Sequence, residues 1–462
     1  MGDAETITRN TGSLFIGEIV SRALYMLFFI VLARELGVSD FGLYSFVFAI
    51  ASIFLIFSDM GLAMILVREV ARDKAKSREY LSSIFSFKIF GSFVMAAAVS
   101  AFFVLFGVRE TALAIAIVML ASFFNAITEP MRNTFLAYEK HHYYAMMAVF
   151  ERAITTGLGL AFLLSGKGLL AVLWVFVISY AINFAVSTIL VVKRFTRFSI
   201  KIDVSKWVSL LKKSWPFLLS ALFITFYYRA GLIMLKLMLK SNEPAGFFNS
   251  AFGLVDALSF IPIMLVTAVF PAMSRFHLSS KESLKILYER AFRYLALVAL
   301  PIAFGTTLLA GRIMGFLYTS EYSPAVLALQ ILIWSEVFLF FNYLLGYMLN
   351  AIDKQFLFTK TTAIYLLINI ALNLFVIPIY EHTGVAAVAV VTQLAGFIML
   401  LYYCSKNGYR VNLAKILAKP LIACLVMTAV IIAASGLNLF LILAAASLAY
   451  SAIILLVKGV GR

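Results

Sequence analysis

SLFIGEIVSRALYMLFFIVLARELGVSDFGLYSFVFAIASIFLIFSDMGLAMIL, residues 13–66, is two apolar runs joined by one short polar break. Each run, 13–34 and 42–66, exceeds the roughly 20 helical residues that cross the hydrocarbon core of a bilayer. The apolar residues are continuous rather than alternating, which excludes a transmembrane β-barrel and predicts helices. The same pattern recurs at 82–106, 111–130, 143–165, 169–192, 214–239, 247–270, 291–310, 324–350, 356–380, 385–405, 419–435 and 439–457. Fourteen spans of roughly 20 residues need about 280. With 63% of 462 residues hydrophobic, almost nothing is left for a soluble domain. The predicted fold is an all-α polytopic membrane protein of about 14 transmembrane helices.

The net charge of +16 is explained by where the charges fall. About 28 of the 38 Lys and Arg lie at the termini and in loops 67–81, 131–142, 193–213, 271–293, 351–360 and 406–419, all on one side of the alternating spans. About five, Arg34, Arg109, Lys167, Lys240 and Arg312, lie on the other. This asymmetry predicts a multi-pass protein of the cell membrane with both termini cytoplasmic. Contact with anionic membrane lipids accounts for the basic excess, so a nucleic-acid partner is not expected. Asp3 and Glu5 stand where a signal peptide would be basic, so the first run reads as a retained helix. Cys404 and Cys424 have no disulfide or metal spacing, and His141, His142, His277 and His382 are scattered over loops. The longest hydrophilic segment, 193–213, carries seven Lys/Arg and the single acid Asp203. It offers no clustered carboxylates for an enzyme, and neither a cofactor nor a metal is expected.

That segment reads as a hinge. Asp40–Ser45 (DFGLYS) opens the second span and Pro244–Asn249 (PAGFFN) the eighth; Leu136–Lys140 (LAYEK) follows the fourth and Asn350–Lys354 (NAIDK) the tenth. The offsets of 204 and 214 argue a six-helix duplication. The expected organisation is a first half at 1–192, a basic linker at 193–213, a second half at 214–405 and an extra helix pair at 406–462. Both halves start in the cytoplasm, so the repeats are parallel, around a central cavity, which is a transporter architecture. No repeated pore loop argues for a channel. Pro262 and Pro378 are candidate kinks.

Ionisable residues inside spans cost at least about 2.5–3.5 kcal/mol each, so each is a candidate site residue. Arg22 lies near the middle of span one with Glu18 at i−4, the spacing of an ion pair. Two readings stay open: the pair stabilises packing, or Arg22 leaves it to grip an anion with its bidentate fork. Arg229, after Tyr227 and Tyr228, is the counterpart in span seven, and Arg152 follows Glu151 in span five. Asp256 and Glu336 are candidates for binding a coupling ion, with ion pairing to Arg229 or Arg152 as the competing reading. Lys88 and Lys236 are expected to snorkel, and Asp59 to serve helix packing.

The first seventy residues resemble the membrane-spanning polysaccharide-biosynthesis proteins, the lipid-linked oligosaccharide flippases. The resemblance lies in Asn10-Thr11, Ala33–Tyr44 (ARELGVSDFGLY), Ser58–Leu62 (SDMGL) and Arg68-Glu69. That family shares a superfamily with multidrug-extrusion antiporters and lipid II flippases. Ser21-Arg22 before Ala33-Arg34 is similar to the lipid II branch, whose first arginine belongs to a pyrophosphate-binding cavity; the resemblance implies that role for Arg22. Phe28 stands where that branch has a second cavity arginine, which argues against lipid II itself as cargo. The resemblance implies a transporter, not an enzyme. It would flip polyprenyl-pyrophosphate-linked oligosaccharide outward by alternating access; the in-span positions of Arg229, Arg152 and Glu18 add them to Arg22 as candidate substrate-binding residues. The implied partners are the lipid-linked glycan and a glycan polymerase or ligase, with the transporter a monomer. A drug or small-molecule cation antiporter on the same scaffold and a non-transporting membrane scaffold are the competing readings.

Overall fold

A computed structural model describes residues 3–107 and 109–457, without the side chains of 3–16, 109, 216 and 220. The side chains of Asn10-Thr11 and both extreme termini therefore lie outside the described residues. Among the described residues the chain is helical without strands: α1 (Asp3–Asp59), α2 (Leu62–Arg72), α3 (Ser77–Phe106), α4 (Arg109–Ala137), α5 (His141–Leu164), α6 (Leu169–Arg194), α7 (Val204–Leu239), α8 (Glu243–Asp256), α9 (Phe260–Ser279), α10 (Lys281–Leu317), α11 (Ala325–Ala351), α12 (Gln355–Lys406), α13 (Leu413–Ala433) and α14 (Leu439–Leu456).

Twelve of the described helical stretches are long and apolar enough to cross a membrane. Two of them hold two spans each. At 1.5 Å per residue, the 57 residues of α1 would run about 85 Å and the 52 of α12 about 78 Å, far beyond a bilayer. α1 breaks at Gly37 (φ 72°), a backbone conformation open to glycine. α12 breaks at Glu381 (φ 47°), three residues after Pro378. With both breaks counted, the fourteen expected spans are present. Pro262 acts as expected: the residue four before it, Leu258, lies in a 3₁₀ turn (Ala257–Ser259) that separates α8 from α9.

Several boundaries differ from the sequence reading: the linker expected at 193–213 is helical from Val204, and the loop expected at 271–293 is helical apart from Ser280. The loop expected at 131–142 is helix as far as Ala137, because Pro130 is accommodated inside α4. The segment after span two is not an extended loop but the short amphipathic helix α2, entered through Met60 (φ 47°) and Gly61 (φ 77°).

The two segments aligned in the proposed duplication fold into the same turn. Glu139 and Asp353 both adopt φ 59°. Glu139 N–H donates to Leu136 O (2.9 Å) and Lys140 N–H to Phe135 O (2.8 Å), while Asp353 N–H donates to Asn350 O (3.2 Å) and Lys354 N–H to Leu349 O (2.8 Å). These are the left-handed caps that close helices, one after α4 and one after α11. Each of these helices is also the hub of its bundle: α4 packs on α3, α5 and α6, and α11 on α8, α10 and α12.

The chain divides into two compact units, Met1–Arg229 and Ala230–Arg462. In the first, α1 approaches α5 closely because glycines permit it: a Cβ on Gly17 would lie 2.8 Å from that of Ala145, and one on Gly159 would collide with the Phe28 ring. The segment after α6 is strapped onto α3: Ser199 and Lys201 N–H donate to Ser82 and Ser86 Oγ (3.1 and 2.8 Å) and Trp207 Nε1 to Ser83 O (3.1 Å). In the second unit, Asn342 Nδ2 donates to Gln393 Oε1 (2.7 Å) between α11 and α12. The terminal pair α13–α14 is fastened to α10 by Arg312, which donates to the carbonyls of Ser435 and Leu437, and by Tyr450 OH to Leu297 O (2.9 Å).

At Gly61 a Cβ would stand 2.7 Å from Ser214 O, in a left-handed backbone. Gly61→Ala is expected to cost about 1–2 kcal/mol or more and to lower the unfolding midpoint in detergent by roughly 2–8 °C. Gly157→Ala, on a helix with nothing within 4 Å, should not lower it. Equal shifts would refute the account of that turn.

Candidate functional site

The first unit holds its in-span charges in two groups. On α1, Glu18, Arg22 and Tyr25 fall at i, i+4 and i+7 and so share one face. Arg22 Nε donates to Glu18 Oε1 at 2.7 Å, with side chains 41% and 60% exposed. An exposed pair of this kind contributes little to stability, and the guanidinium keeps donors available. Tyr25 carries the face across to α5: the Arg152 guanidinium lies 5.0 Å from its ring centroid, a cation–π contact. Tyr44 and Tyr180 are further neighbours of Arg152. The structure thus brings Glu18, Arg22 and Arg152 onto one tyrosine-rich face. Phe28 does not belong to it. It is 1% exposed and packs edge-on to Phe176 (5.7 Å), so this position feeds the core.

Arg229 stands half-buried on α7, beside the edge-to-face Tyr227–Tyr228 pair (5.6 Å), and makes no ion pair among the described residues.

The second group lies where α1 ends, α3 begins and α4 ends. Lys88, expected to snorkel, is instead 1% exposed. Its Nζ sits between two carboxylates, Asp59 at 2.9 Å and Glu129 in closer contact. Asp59 has the structural role foreseen for it: it also accepts from Gly61 and Ala63 N–H (both 3.1 Å), capping α2. Three residues beyond Glu129, Arg132 donates to Glu151 Oε2 on α5 (3.2 Å) and to Asn125 Oδ1 (3.0 Å). Glu151 also accepts from Asn183 Nδ2 on α6 (2.6 Å). The network ties α1, α3, α4, α5 and α6 together. Asp59, Asn125, Glu129 and Arg132 line a cavity of about 270 Å³. Sequence reasoning missed Glu129 and Arg132, having placed the end of the span between them.

In the second unit Glu336, on α11, is 6% exposed and its Oε1 lacks a hydrogen-bond partner among the described residues. Asp256, the last residue of α8, is its charged neighbour. The structure therefore brings these two candidates together.

A helical, multi-span chain whose charges are buried in networks or grouped on one cationic face is a membrane transporter by architecture. The family model described as polysaccharide biosynthesis protein matches residues 7–277, and the chain belongs to that family. It is 21% identical over 410 residues to the probable low-salt glycan biosynthesis flippase Agl15 of Haloferax volcanii, covering 86% of this chain and 84% of that protein. It is 28% identical over 162 residues to the uncharacterized membrane protein MJ1068 of Methanocaldococcus jannaschii; this match spans 35% of the chain and only 31% of that protein's length. Its fold is similar to the lipid II flippase MurJ in an inward closed conformation (TM-score 0.79, 15% identity, 97% of this chain and 99% of that one). It is also similar to an inward-facing multidrug resistance MATE family transporter of the MOP superfamily (TM-score 0.65, 16% identity, 83% and 95%).

Removing Lys88 while leaving its two carboxylates should be severe. Lys88→Met is expected to cost about 3–5 kcal/mol and to lower the yield of folded protein sharply. Combining it with Asp59→Asn and Glu129→Gln should restore most of that yield, read by size-exclusion profile and unfolding midpoint. A triple variant no better than Lys88→Met would contradict the network.

Proposed function

We propose that this chain moves polyprenyl-pyrophosphate-linked oligosaccharide from the cytoplasmic to the outer leaflet of the cell membrane by alternating access, for polysaccharide or glycoconjugate export. The observation that carries the reading is the Arg22–Tyr25–Arg152 face, on which Arg22 is accessible and Arg152 half-buried. Two guanidiniums suit a pyrophosphate, whose oxygens accept paired N–H donors, and the tyrosines suit the sugars attached to it. Glu18 holds Arg22 when no anion is bound, and Arg229 supplies a further grip. The same face disfavours the cationic cargo of a drug antiporter. Membership of the family and the likeness to a probable glycan flippase support the choice of substrate class.

The placement of the basic loops supports cytoplasmic termini and contact with anionic lipid in this reading. A pyrophosphate with about two negative charges gains roughly 4–5 kcal/mol on leaving an inside-negative cell at 100 mV. Glu336 and Asp256 are the groups we assign to a coupling ion. A monomer handing its cargo to a glycan polymerase or ligase completes the reading.

The test is flipping in sealed vesicles of purified protein, with a fluorescent-sugar lipid in both leaflets and an impermeant quencher outside. Wild type should drive quenching well past half, while Arg22→Ala and Arg229→Ala should stop at half although inserted and folded. Retained flipping in both variants would refute the clamp. Glu336→Gln should keep flipping but lose its acceleration by an imposed proton or sodium gradient; unchanged acceleration would remove Glu336 from coupling.

A further inference from the structure

We infer that the cavity bounded by Asp59, Asn125, Glu129 and Arg132 is a binding site for one neutral sugar ring of the glycan, separate from the arginine face that grips the phosphate. The inference deepens the flippase reading and rests on it for the sugar's being lipid-borne.

Size is the first argument. At about 270 Å³ the cavity falls just below the roughly 300–1,000 Å³ of pockets that hold drug-sized ligands. It has room for several ordered waters, and so for a single hydroxylated ring in their place. Leu55, Ile56, Gly61 and Ala221 give the cavity an apolar wall beside its four polar residues, a mixed lining that suits the apolar face and hydroxylated rim of a sugar ring better than a wholly apolar polyprenyl tail.

Charge is the second. The formal charges of the cluster and its neighbour balance: Asp59, Glu129 and Glu151 against Lys88, Arg132 and Arg152. A phosphate entering here would meet two carboxylates, and a cation would meet Lys88 and Arg132. Either would leave a buried charge without its counter-charge, which is costly. A neutral polyol disturbs no ion pair.

Hydrogen bonding is the third. Lys88 closes the inner side at 1% exposure, while Asp59 and Glu129 are 23% and 31% exposed, so their outer edges line the cavity. Carboxylate oxygens accept from sugar hydroxyls, and the guanidinium donates to them. Asn125 accepts from Arg132 through Oδ1, leaving its NH₂ as a donor. Vicinal hydroxyls, each both donor and acceptor, match such a mixed rim. Ala221 forms part of the wall without entering the network, so a larger side chain there would fill the space.

The experiment is saturation-transfer NMR on the full chain in lipid nanodiscs with methyl glycosides of glucose, galactose, mannose and N-acetylglucosamine, glucosamine and inorganic pyrophosphate as charged controls. At least one neutral glycoside should show transfer, competed by the others, and weakened by about tenfold or more in Kd by Asn125→Ala and by Ala221→Phe. Ala221→Phe should keep the wild-type unfolding midpoint, which separates filling from misfolding. No transfer from any neutral glycoside, transfer unchanged in both variants, or stronger transfer from a charged control that Ala221→Phe abolishes would each overturn the assignment. The readout needs no flipping: sugar binding without flipping would sink the transport reading alone, and flipping without sugar binding would sink this one alone.

Discussion

A single ammonium group in an apolar bundle governs how the first unit is built. Lys88, fully buried, is held between Asp59 and Glu129, which belong to different helices. An unpaired charge at that depth would cost several kcal/mol, so the three side chains are tied to one another. Because Asp59 also caps α2, the same ammonium fixes where α1 stops and the short amphipathic helix begins. Because Glu129 and Arg132 lie one turn apart on α4, the constraint passes to Glu151 on α5 and Asn183 on α6. The hub position of α4 thus has an electrostatic as well as a packing basis.

Much of the fold was legible in the sequence, because a bilayer imposes one length on every span and leaves continuous apolar runs as the trace. The fourteen runs match the long helices once Gly37 and Glu381 divide α1 and α12. The short repeats at 136–140 and 350–354 proved to be the same left-handed helix cap, so a weak sequence similarity marked a shared backbone geometry. The site was legible only in part. Glu18 with Arg22 could be read from i, i+4 spacing, since both are on one helix. The Lys88 partners could not, because a pairing between helices leaves no spacing in the sequence. The apolar run at 111–130 also stops where α4 continues, which hid Glu129 and Arg132 at its margin. The signal that would have found them is Asn125, Glu129 and Arg132 at i, i+4 and i+7, a polar stripe of helical period running past the proline.

The two groups of charges in the first unit are suited to different tasks. On the Arg22–Tyr25–Arg152 face the accessible Arg22 guanidinium has donors not committed to the fold, as a site for a multiply charged anion requires. The buried network pairs both of its cations, Lys88 and Arg132, with carboxylates, so it offers no free cation to an anion and suits something uncharged. A lipid-linked glycan combines an anionic link with neutral sugars and an apolar tail, and such a cargo needs both kinds of surface together with lipid access. In the second unit, the buried Glu336 has Asp256 as its charged neighbour, and it is to this pair that we assign the coupling ion.

The most direct measurement of the central claim is the leaflet position of lipid-linked glycan in living cells. Cells making such a lipid without a transporter of their own would be given this chain under an inducible promoter, and outer-leaflet glycan would be labelled with an impermeant lectin. The account predicts that labelling appears on induction, is absent with Arg22→Ala, and rises while total lipid-linked glycan stays constant. Equal labelling with and without the chain would contradict it.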